Sequence, residues 1–533
     1  MIQRGRDGEV YVPWSMVRRE ITRKNTGEAR NSGYGNYGAS RTKKELKGWK
    51  DTGGSATEDV HENLSTLRIR SRDLYMGVPI ATGAIKGYRT NVIGSGLTPK
   101  PIIDAEALHI SEAAADQLEK QISQEFSLWA DSTACDAERF SSFYELQQMV
   151  FLNWLMSGDV FVLLQTKERT GTPYKTCIQL IEADRVCTPG NYLDITVDEK
   201  IVGGVEVNDS GEVVAYHICK KHPLSYFGTA AGPNDFVRVD AYGENTGRRN
   251  VLHVMVRERI GTRRGVPILA PVIESLKHIG RYTEAELEAA VVQGFQAMVI
   301  EKPVENPADP TGEVGEAWGQ SADDVFLQNQ EPGEIRLGPG AIVDLAPGEQ
   351  MKQFNPSRPN ANFDSFVNSV AKQIGAALEV PYELLMKQFT ASYSASRAAL
   401  LEGWKSFDQW RDWMVEKLCQ PVYEEWLSEA VALGRINAPG FFVDPMLKKV
   451  YCRAQWYGPT QGQLDPVKEV QAAELRVRYG YSTRAKEAME LTGTDFRDNI
   501  LTAARENELM DAAGLTREPV QIPTEKEDKE EET

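Results

Sequence analysis

The sequence lacks the features that mark membrane and secreted proteins. No apolar run reaches the roughly 18 residues that a membrane-spanning helix needs. The first residues, Met1 to Arg6, have no apolar signal-peptide core. We therefore expect a soluble protein made in a cytoplasm, without a membrane partner.

Cysteine is scarce, and its spacing excludes a thiol-based metal site. The six cysteines form no Cys-x-x-Cys pair; they are Cys135, Cys177, Cys187, Cys219, Cys419 and Cys452. Isolated cysteines in a cytoplasmic protein are usually small buried hydrophobes. The sequence thus predicts reduced, buried thiols.

Enzyme motifs are also missing. There is no P-loop and no Gly-x-Ser-x-Gly nucleophile turn. His217, Cys219 and His222 suggest a metal, but the first two share one face of a predicted strand, His222 lies beyond it, and no fourth ligand is apparent. The carboxylate pair Asp323–Asp324 has no basic or histidine companion. We predict no catalytic residue, no metal and no cofactor.

The net charge of −17 argues against a protein that grips nucleic acid through its phosphates, but allows a smooth acidic channel. Residues 1–50 carry 12 Lys/Arg and 5 Asp/Glu, whereas residues 511–533 carry 3 Lys/Arg and 8 Asp/Glu. Both ends are poor in apolar residues. This composition predicts a flexible basic arm over 1–62 and a disordered acidic tail over 511–533.

Hydrophobic periodicity predicts an α+β multidomain chain. Helical spacing and β-rich runs alternate across 63–265, which indicates a mixed domain with strands near 157–165, 176–182, 201–218 and 251–256. A long helix is predicted over 266–300. An insertion at 301–359 follows, and residues 301–350 hold 11 Asp/Glu and 2 Lys/Arg.

Helical patterns return after the insertion. We predict a helix and turn over 360–383, a loop over 384–396 and a long helix over 397–440 that Pro421 kinks. Residues 441–510 look mainly helical.

One block of motifs resembles a known family. Glu379-Val-Pro-Tyr-Glu-Leu-Leu385 precedes Tyr393-Ser-Ala-Ser-Arg397, then a long helix, as in portal proteins of lambda-like tailed phages. Glu379 stands where that family has glycine. Weaker matches lie upstream of this block, in the order that the family has: Gly158-Asp-Val-Phe161, Asn208-Asp-Ser-Gly211, His253-Val and Arg264-Gly265.

This resemblance implies a portal fold that assembles as a ring, a dodecamer. It maps the chain onto a wing (63–265), a first stem helix (266–300), an acidic clip (301–359), a second stem helix and turn (360–383), a tunnel loop (384–396), a long wing helix (397–440) and a helical wing or crown (441–510).

The implied function is the passage of double-stranded DNA through a capsid vertex during packaging and ejection. The implied partners are other copies of the chain, the terminase large subunit, head-completion or adaptor proteins, and the major capsid and scaffold proteins. The implied location is the virion, after assembly in the host cytoplasm. A phage nuclease and a soluble adaptor or scaffolding protein are the alternatives.

Candidate site residues follow from the same mapping. The tunnel-loop residues, whose hydroxyls and amides suit phosphate contacts without sequence preference, are Lys387, Gln388, Phe389, Thr390, Ser392, Tyr393 and Ser394. Arg397 is a candidate subunit contact, or an intrachain ion pair. The partner-docking carboxylates of the clip are Glu313, Glu316, Asp323 and Asp324. The alternatives are an ordinary loop with Phe389 and Tyr393 in the core, and an insertion whose charges only keep it in solution.

Overall fold

The computed structural model describes residues 3–4, 10–11, 43–46, 48–49, 53–190, 200–225, 232–294, 298–301, 350–353, 362–389, 392–462 and 465–515. The chain divides into two units, residues 1–55 and 56–533. In the first unit, strands β1 (Gln3–Arg4) and β2 (Val10–Tyr11) pair antiparallel. The second unit starts within the predicted arm, because Thr57–His61 already forms a helical turn.

The second unit is mainly helical. Its first helices are α1 (Glu62–Gly77), α2 (Pro79–Val92), α3 (Glu112–Ala130), α4 (Phe143–Ser157) and α5 (Ile273–Gly294). The middle group is α6 (Phe363–Ala377), α7 (Tyr382–Met386), α8 (Tyr393–Met414) and α9 (Gln420–Ala432). The last group is α10 (Pro445–Tyr451), α11 (Pro466–Arg478), α12 (Arg484–Thr492) and α13 (Phe496–Ala512). None of the helices in the described ranges is both long and apolar enough to cross a membrane.

Short antiparallel sheets complete the second unit. The strands before α5 are β3 (Thr98–Pro101), β4 (Asp159–Thr166), β5 (Thr176–Ile181), β6 (Ile201–Val202), β7 (Val205–Val207), β8 (Val213–Cys219), β9 (Phe236–Asp240) and β10 (Val251–Met255). The later strands are β11 (Met298–Glu301), β12 (Gln350–Gln353) and β13 (Ala454–Tyr457). The sheet orders are β10-β4-β5, β6-β7-β8-β9, β13-β3 and β11-β12.

The main core lies between sheet β10-β4-β5 and the surrounding helices. Phe126 of α3 is in edge-to-face contact with Tyr423 and Trp426 of α9, and Trp154 of α4 packs edge-on against Trp410 of α8. Such aromatic contacts add about 0.5–1.5 kcal/mol each beyond the area they bury. All six cysteines are buried free thiols, which confirms that prediction.

The predicted helix over 266–300 is shorter in the structure. It ends at Gly294, and Met298–Glu301 is strand β11, which pairs with β12 in the register Met298↔Gln353 to Glu301↔Gln350. The two ends of the acidic insertion therefore lie side by side. The two helices that flank it also touch, because Tyr282 of α5 packs against Phe363 and Phe366 of α6.

The long helix predicted over 397–440 begins earlier, at Tyr393, and is interrupted. Residues Val415–Cys419 form a π-helical segment between α8 and α9. Pro421, the second residue of α9, cannot donate a backbone hydrogen bond, so the wider turn before it accommodates the missing donor.

Candidate functional site

The predicted loop over 384–396 is narrower in the structure. Residues 384–386 belong to α7, and residues 393–396 belong to α8. Lys387 ends α7 with a left-handed backbone (φ 53°), which turns the chain out of the helix. The segment between the two helices is thus 387–392, of which Thr390 and Ala391 lie outside the described residues.

The described loop side chains face outward. Phe389 keeps 53% of its surface exposed, so it is not a core residue. Lys387 and Gln388 are exposed, as are Ser392 and Ser394, whose hydroxyl oxygens lie 3.3 Å apart. The side chain of Tyr393 lies outside the described part of the chain. The loop offers a cation, an amide, hydroxyls and an aromatic ring on one short exposed segment.

A left-handed turn at Glu379 sets the approach to this loop. Glu379 has φ 55°, a conformation that glycine adopts at little cost and other residues adopt rarely. This explains why a glycine suits the position in the resembling family. The carboxylate of Glu379 accepts a hydrogen bond from the Ser406 hydroxyl at 3.3 Å, which ties the turn to α8.

The residues that lead into the loop, 378–386, pack against α2, α6 and α8. The buried Tyr88 hydroxyl of α2 donates to the Leu378 carbonyl, and burial raises the pKa of Tyr88 to about 12. A Cβ at Gly375 would lie 2.6 Å from the Val380 carbonyl oxygen, and one at Gly403 would lie 2.9 Å from a Leu384 methyl. Both glycines therefore let α6 and α8 pack close to the turn. Sequence reasoning missed Tyr88 and Ser406, because their partners are remote in the chain.

Arg397 makes an ion pair within its own chain. Its guanidinium lies 3.6 Å from the Glu469 carboxylate of α11, with 41% of the arginine side chain still exposed. This is the intrachain alternative of the sequence analysis. The exposed remainder leaves room for a contact with another subunit, which stays a prediction.

The predicted clip carboxylates lie outside the described residues. Glu313, Glu316, Asp323 and Asp324 all fall between β11 and β12. The described structure places only the two ends of the insertion.

A buried ion cluster joins motifs that the sequence presents far apart. Asp159, fully buried, accepts hydrogen bonds from Arg264 at 2.6 and 3.0 Å and from Arg68 at 2.8 Å. It also lies 3.2 Å from His253 and accepts from the Gly265 amide at 3.0 Å. Burial alone would raise the pKa of Asp159, but Arg264, Arg68 and His253 hold it well below its usual range.

This cluster fixes the start of the connection to α5. Arg264 also donates to the backbone carbonyls of Ala183, Val186 and Gly203. These bonds tether the segment after β5 and the turn between β6 and β7. A Cβ on Gly158 or Gly265 would overlap the backbone of the other, so both positions require glycine. Each of the motifs around Asp159, His253 and Arg264 thus supplies one part of a single joint.

One cluster of side chains has the composition of a metal site. Ligand atoms of Glu182, Asp184 and His222 lie within 4.8 Å of one another. However, Arg72 already pairs with both carboxylates, at 2.8 Å from Glu182. His222 Nδ1 accepts a hydrogen bond from the Leu224 amide at 3.2 Å, so Nε2 of the neutral ring carries the proton and cannot bind a metal. The geometry is that of an ion-pair network.

Comparison with known proteins defines the class. The chain is 24% identical over 484 residues to the portal protein of Escherichia phage N15, covering 88% of this chain and 89% of that protein. It is 23% identical over 495 residues to portal protein B of Escherichia phage lambda, with the same coverage. It is also 23% identical over 433 residues to a probable portal protein of Halomonas phage phiHAP-1, covering 80% and 77%. These likenesses define a phage portal protein.

A match to a family model places the chain more narrowly within the phage portal proteins. Residues 42–411 match the family described as "Phage portal protein, lambda family", which spans more than half of the chain. The chain therefore belongs to the lambda family of phage portal proteins, and its function is that of a portal protein.

Among solved structures, two chains from gene transfer agent particles show a weak likeness to this chain. A chain of the virion of a native particle has a TM-score of 0.39 and 14% identity, covering 80% of this chain and 92% of that chain. A chain of the neck of a native particle, computed with C12 symmetry, has a TM-score of 0.38 and 14% identity, covering 81% and 93%.

Proposed function

We propose that copies of this chain form a ring, a dodecamer, around a channel through which double-stranded DNA is packaged and ejected. The observation that carries the proposal is the order and contact of three parts of the chain. Two contacting helices, α5 and α6, flank the acidic insertion, and an exposed polar loop follows at 387–392. Membership of the lambda portal family supports this arrangement as that of a ring subunit.

The helix pair supports side-by-side assembly, because it leaves large apolar side chains uncovered in the single chain. Leu287 and Val291 of α5 are 64% and 60% exposed, and Phe366 of α6 is half exposed. Exposed apolar groups on neighbouring helices are typical of protein interfaces. We propose that α5 and α6 are the stem and that these residues pack against the next subunit.

The loop composition suits a channel that must not hold its cargo. One lysine per copy, Lys387, attracts phosphates weakly, and hydroxyl and amide groups exchange hydrogen bonds with any sequence. A dense row of arginines would bind DNA in a salt-dependent manner and resist sliding. We propose that residues 387–392, with the start of α8 at Tyr393 and Ser394, are the tunnel loop, and that Phe389 and the serines lie nearest the duplex.

The remaining parts take their roles from this arrangement. We propose that residues 63–265 form most of the wing, that 397–440 crosses it, and that 441–510 form a wing or crown region. We propose that the clip, 301–359, presents Glu313, Glu316, Asp323 and Asp324 to the terminase large subunit and then to head-completion proteins. Acidic groups at such a surface steer and orient a basic partner more than they add affinity.

The major capsid and scaffold proteins are the proposed neighbours of the wing in the virion, after assembly in the host cytoplasm.

Electron microscopy of the purified full-length chain tests the assembly. Rings with a central channel are expected. Monomers or dimers that hydrolyse DNA in the presence of a divalent metal would support a nuclease instead.

A further inference from the structure

A cleft along the free edge of one sheet is not used by the proposed function. Strand β10 is the last strand of the sheet β10-β4-β5 in the described ranges, so its outer backbone groups have no strand partner there. The cleft beside it measures about 960 Å³ and is lined by β10, by Val213 and Tyr216 of β8, and by Trp413 and Gln420 of the long helical stretch. A strand edge without a partner, beside a cleft with two walls, is the geometry that accepts an added strand.

The cleft is basic, although the whole chain is acidic. Its lining holds five cations (Arg248, Arg249, Arg257, Lys417 and Lys448) and three carboxylates (Glu416, Glu424 and Glu425), an excess of two positive charges. Arg248 pairs with Glu425 at 3.0 Å, and Lys417 pairs with Glu416 at 3.1 Å.

The other three cations are available to an acidic strand. Among the described residues, no carboxylate lies within salt-bridge distance of Arg249, Arg257 or Lys448. These three cations flank the free strand edge, so the cleft fits an extended segment that carries negative charge.

One segment of this chain has that chemistry. Residues 516–533 lie outside the described residues and carry seven Asp/Glu and three Lys/Arg. Within them, Val520 and Ile522 alternate with polar residues between Pro519 and Pro523. A residue before proline is restricted to extended backbone, and proline is tolerated at the ends of an edge strand.

We propose that residues 517–524 of a second copy of this chain add a strand to the edge of β10. In that position Val520 and Ile522 contact one apolar wall. Arg517 and Glu518 offset each other's charge, so the acids from Glu525 onward supply the negative charge that meets Arg249, Arg257 and Lys448. The donor is a second copy because only Thr516 separates Leu515 from the segment, and neither Leu515 nor any residue of α13 lines the cleft. The inference rests on the proposed ring, which places copies side by side.

Cross-linking of the full-length chain tests the contact. Two differently tagged chains are co-expressed, one with Val256→Cys beside the cleft and one with Gln521→Cys, and treated with a short bismaleimide. The six native thiols are buried and stay unreactive. We expect a covalent two-chain product, and Arg249→Glu with Arg257→Glu should lower its yield at least about tenfold.

Matched controls make the result specific. Lys120→Cys on α3 replaces Val256→Cys as the distant position, and Lys120→Glu with Arg505→Glu matches the charge change. A product no stronger than the Lys120→Cys control, or one that survives reversal of the two cleft arginines, would overturn the proposal. So would a link that forms only when both cysteines share one chain.

Electron microscopy of the same samples separates the two proposals. Rings without the cross-link contradict the added strand alone. A cross-link without rings supports the strand contact and contradicts the ring.

Discussion

At the scale of single residues, the most consequential side chain is Asp159. It is a counter-charge of two buried arginines, Arg264 and Arg68, the second of which also lies 3.7 Å from Asp184. Removing one partner of a buried ion pair leaves an uncompensated charge and costs about 3–5 kcal/mol. The sequence could not reveal this cluster, because Asp159 lies 91 residues from Arg68 and 105 from Arg264.

Asp159→Asn should therefore lower the free energy of unfolding by about 3–5 kcal/mol. Urea denaturation at a fixed protein concentration measures the change. Glu168→Gln, which removes an exposed ion pair with Lys175, is the control and should leave the urea midpoint nearly unchanged. Equal midpoints for Asp159→Asn and the original chain would contradict the role of the cluster.

His61 gives the molecule a dependence on pH. Burial, together with Arg264 and Arg68, lowers the pKa of His61 from 6.5 to about 3. The unfolded chain binds a proton here below pH 6.5, whereas the folded chain does not until about pH 3. Stability should fall as the pH drops through this window, by about 1.4 kcal/mol per pH unit from this one group.

His61→Gln should lower by about one the number of protons that the chain takes up on unfolding, and so make the dependence of stability on pH less steep. Denaturation midpoints between pH 7 and pH 4 for the two chains measure the difference. Part of the slope should remain, because burial also lowers the pKa of His253. Parallel curves for the two chains would show that His61 is not held neutral in the fold.

Two substitutions at Glu379 test the left-handed turn. Both Glu379→Gly and Glu379→Ala lose the hydrogen bond from Ser406, but only glycine adopts the positive φ without cost. The glycine variant should be more stable than the alanine variant by about 1 kcal/mol, read from thermal or urea unfolding. The opposite order would mean that the turn differs from the one described.

At the scale of elements, the loop 387–392 can be separated from the ring that carries it. Lys387→Ala with Phe389→Ala removes the cation and the exposed ring without touching the buried base at Tyr88. Rings should still form, while packaging or genome retention falls. Particle yield and DNA content measure this, and Lys405→Ala, an exposed lysine of α8, is the control. Unchanged DNA content would contradict the assignment of the loop.

Elements with strong local patterns were predictable. The runs that became β4, β5 and β10, and the hairpin of β7 and β8, appear where apolar β-branched residues cluster. Strand β9 was missed because charged residues interrupt it. Strands β3 and β13 were missed because β3 contains two prolines and its partner lies more than 350 residues away.

The helix predicted over 266–300 shows the limit of periodicity. Met298, Val299 and Ile300 continue an apolar pattern, yet they form a strand because residues 351–353 pair with them. Only the tertiary partner decides between the two conformations. The loop was likewise predicted too long, since the αL turn at Lys387 is a local backbone choice without a sequence signature.

At the scale of the whole molecule, the chain is an acidic protein of helices and sheets. Motifs that are far apart in its sequence meet in two contact clusters, which we call joints. One joint, at Asp159, fixes the segment that leads into α5. The other, at Tyr88 and Glu379, fixes the base of the exposed loop. The order of the motifs in the sequence pointed to the family, but the contacts between them appear only in the three-dimensional structure.

The central claim is that these joints hold α5, α6 and the loop around a common hollow axis. A three-dimensional electron-microscopy map of the purified full-length chain is the most direct test. The account predicts a closed ring with residues 387–392 of every copy lining the channel wall. A map in which this segment is buried inside a single compact protomer, or faces away from any channel, would contradict it.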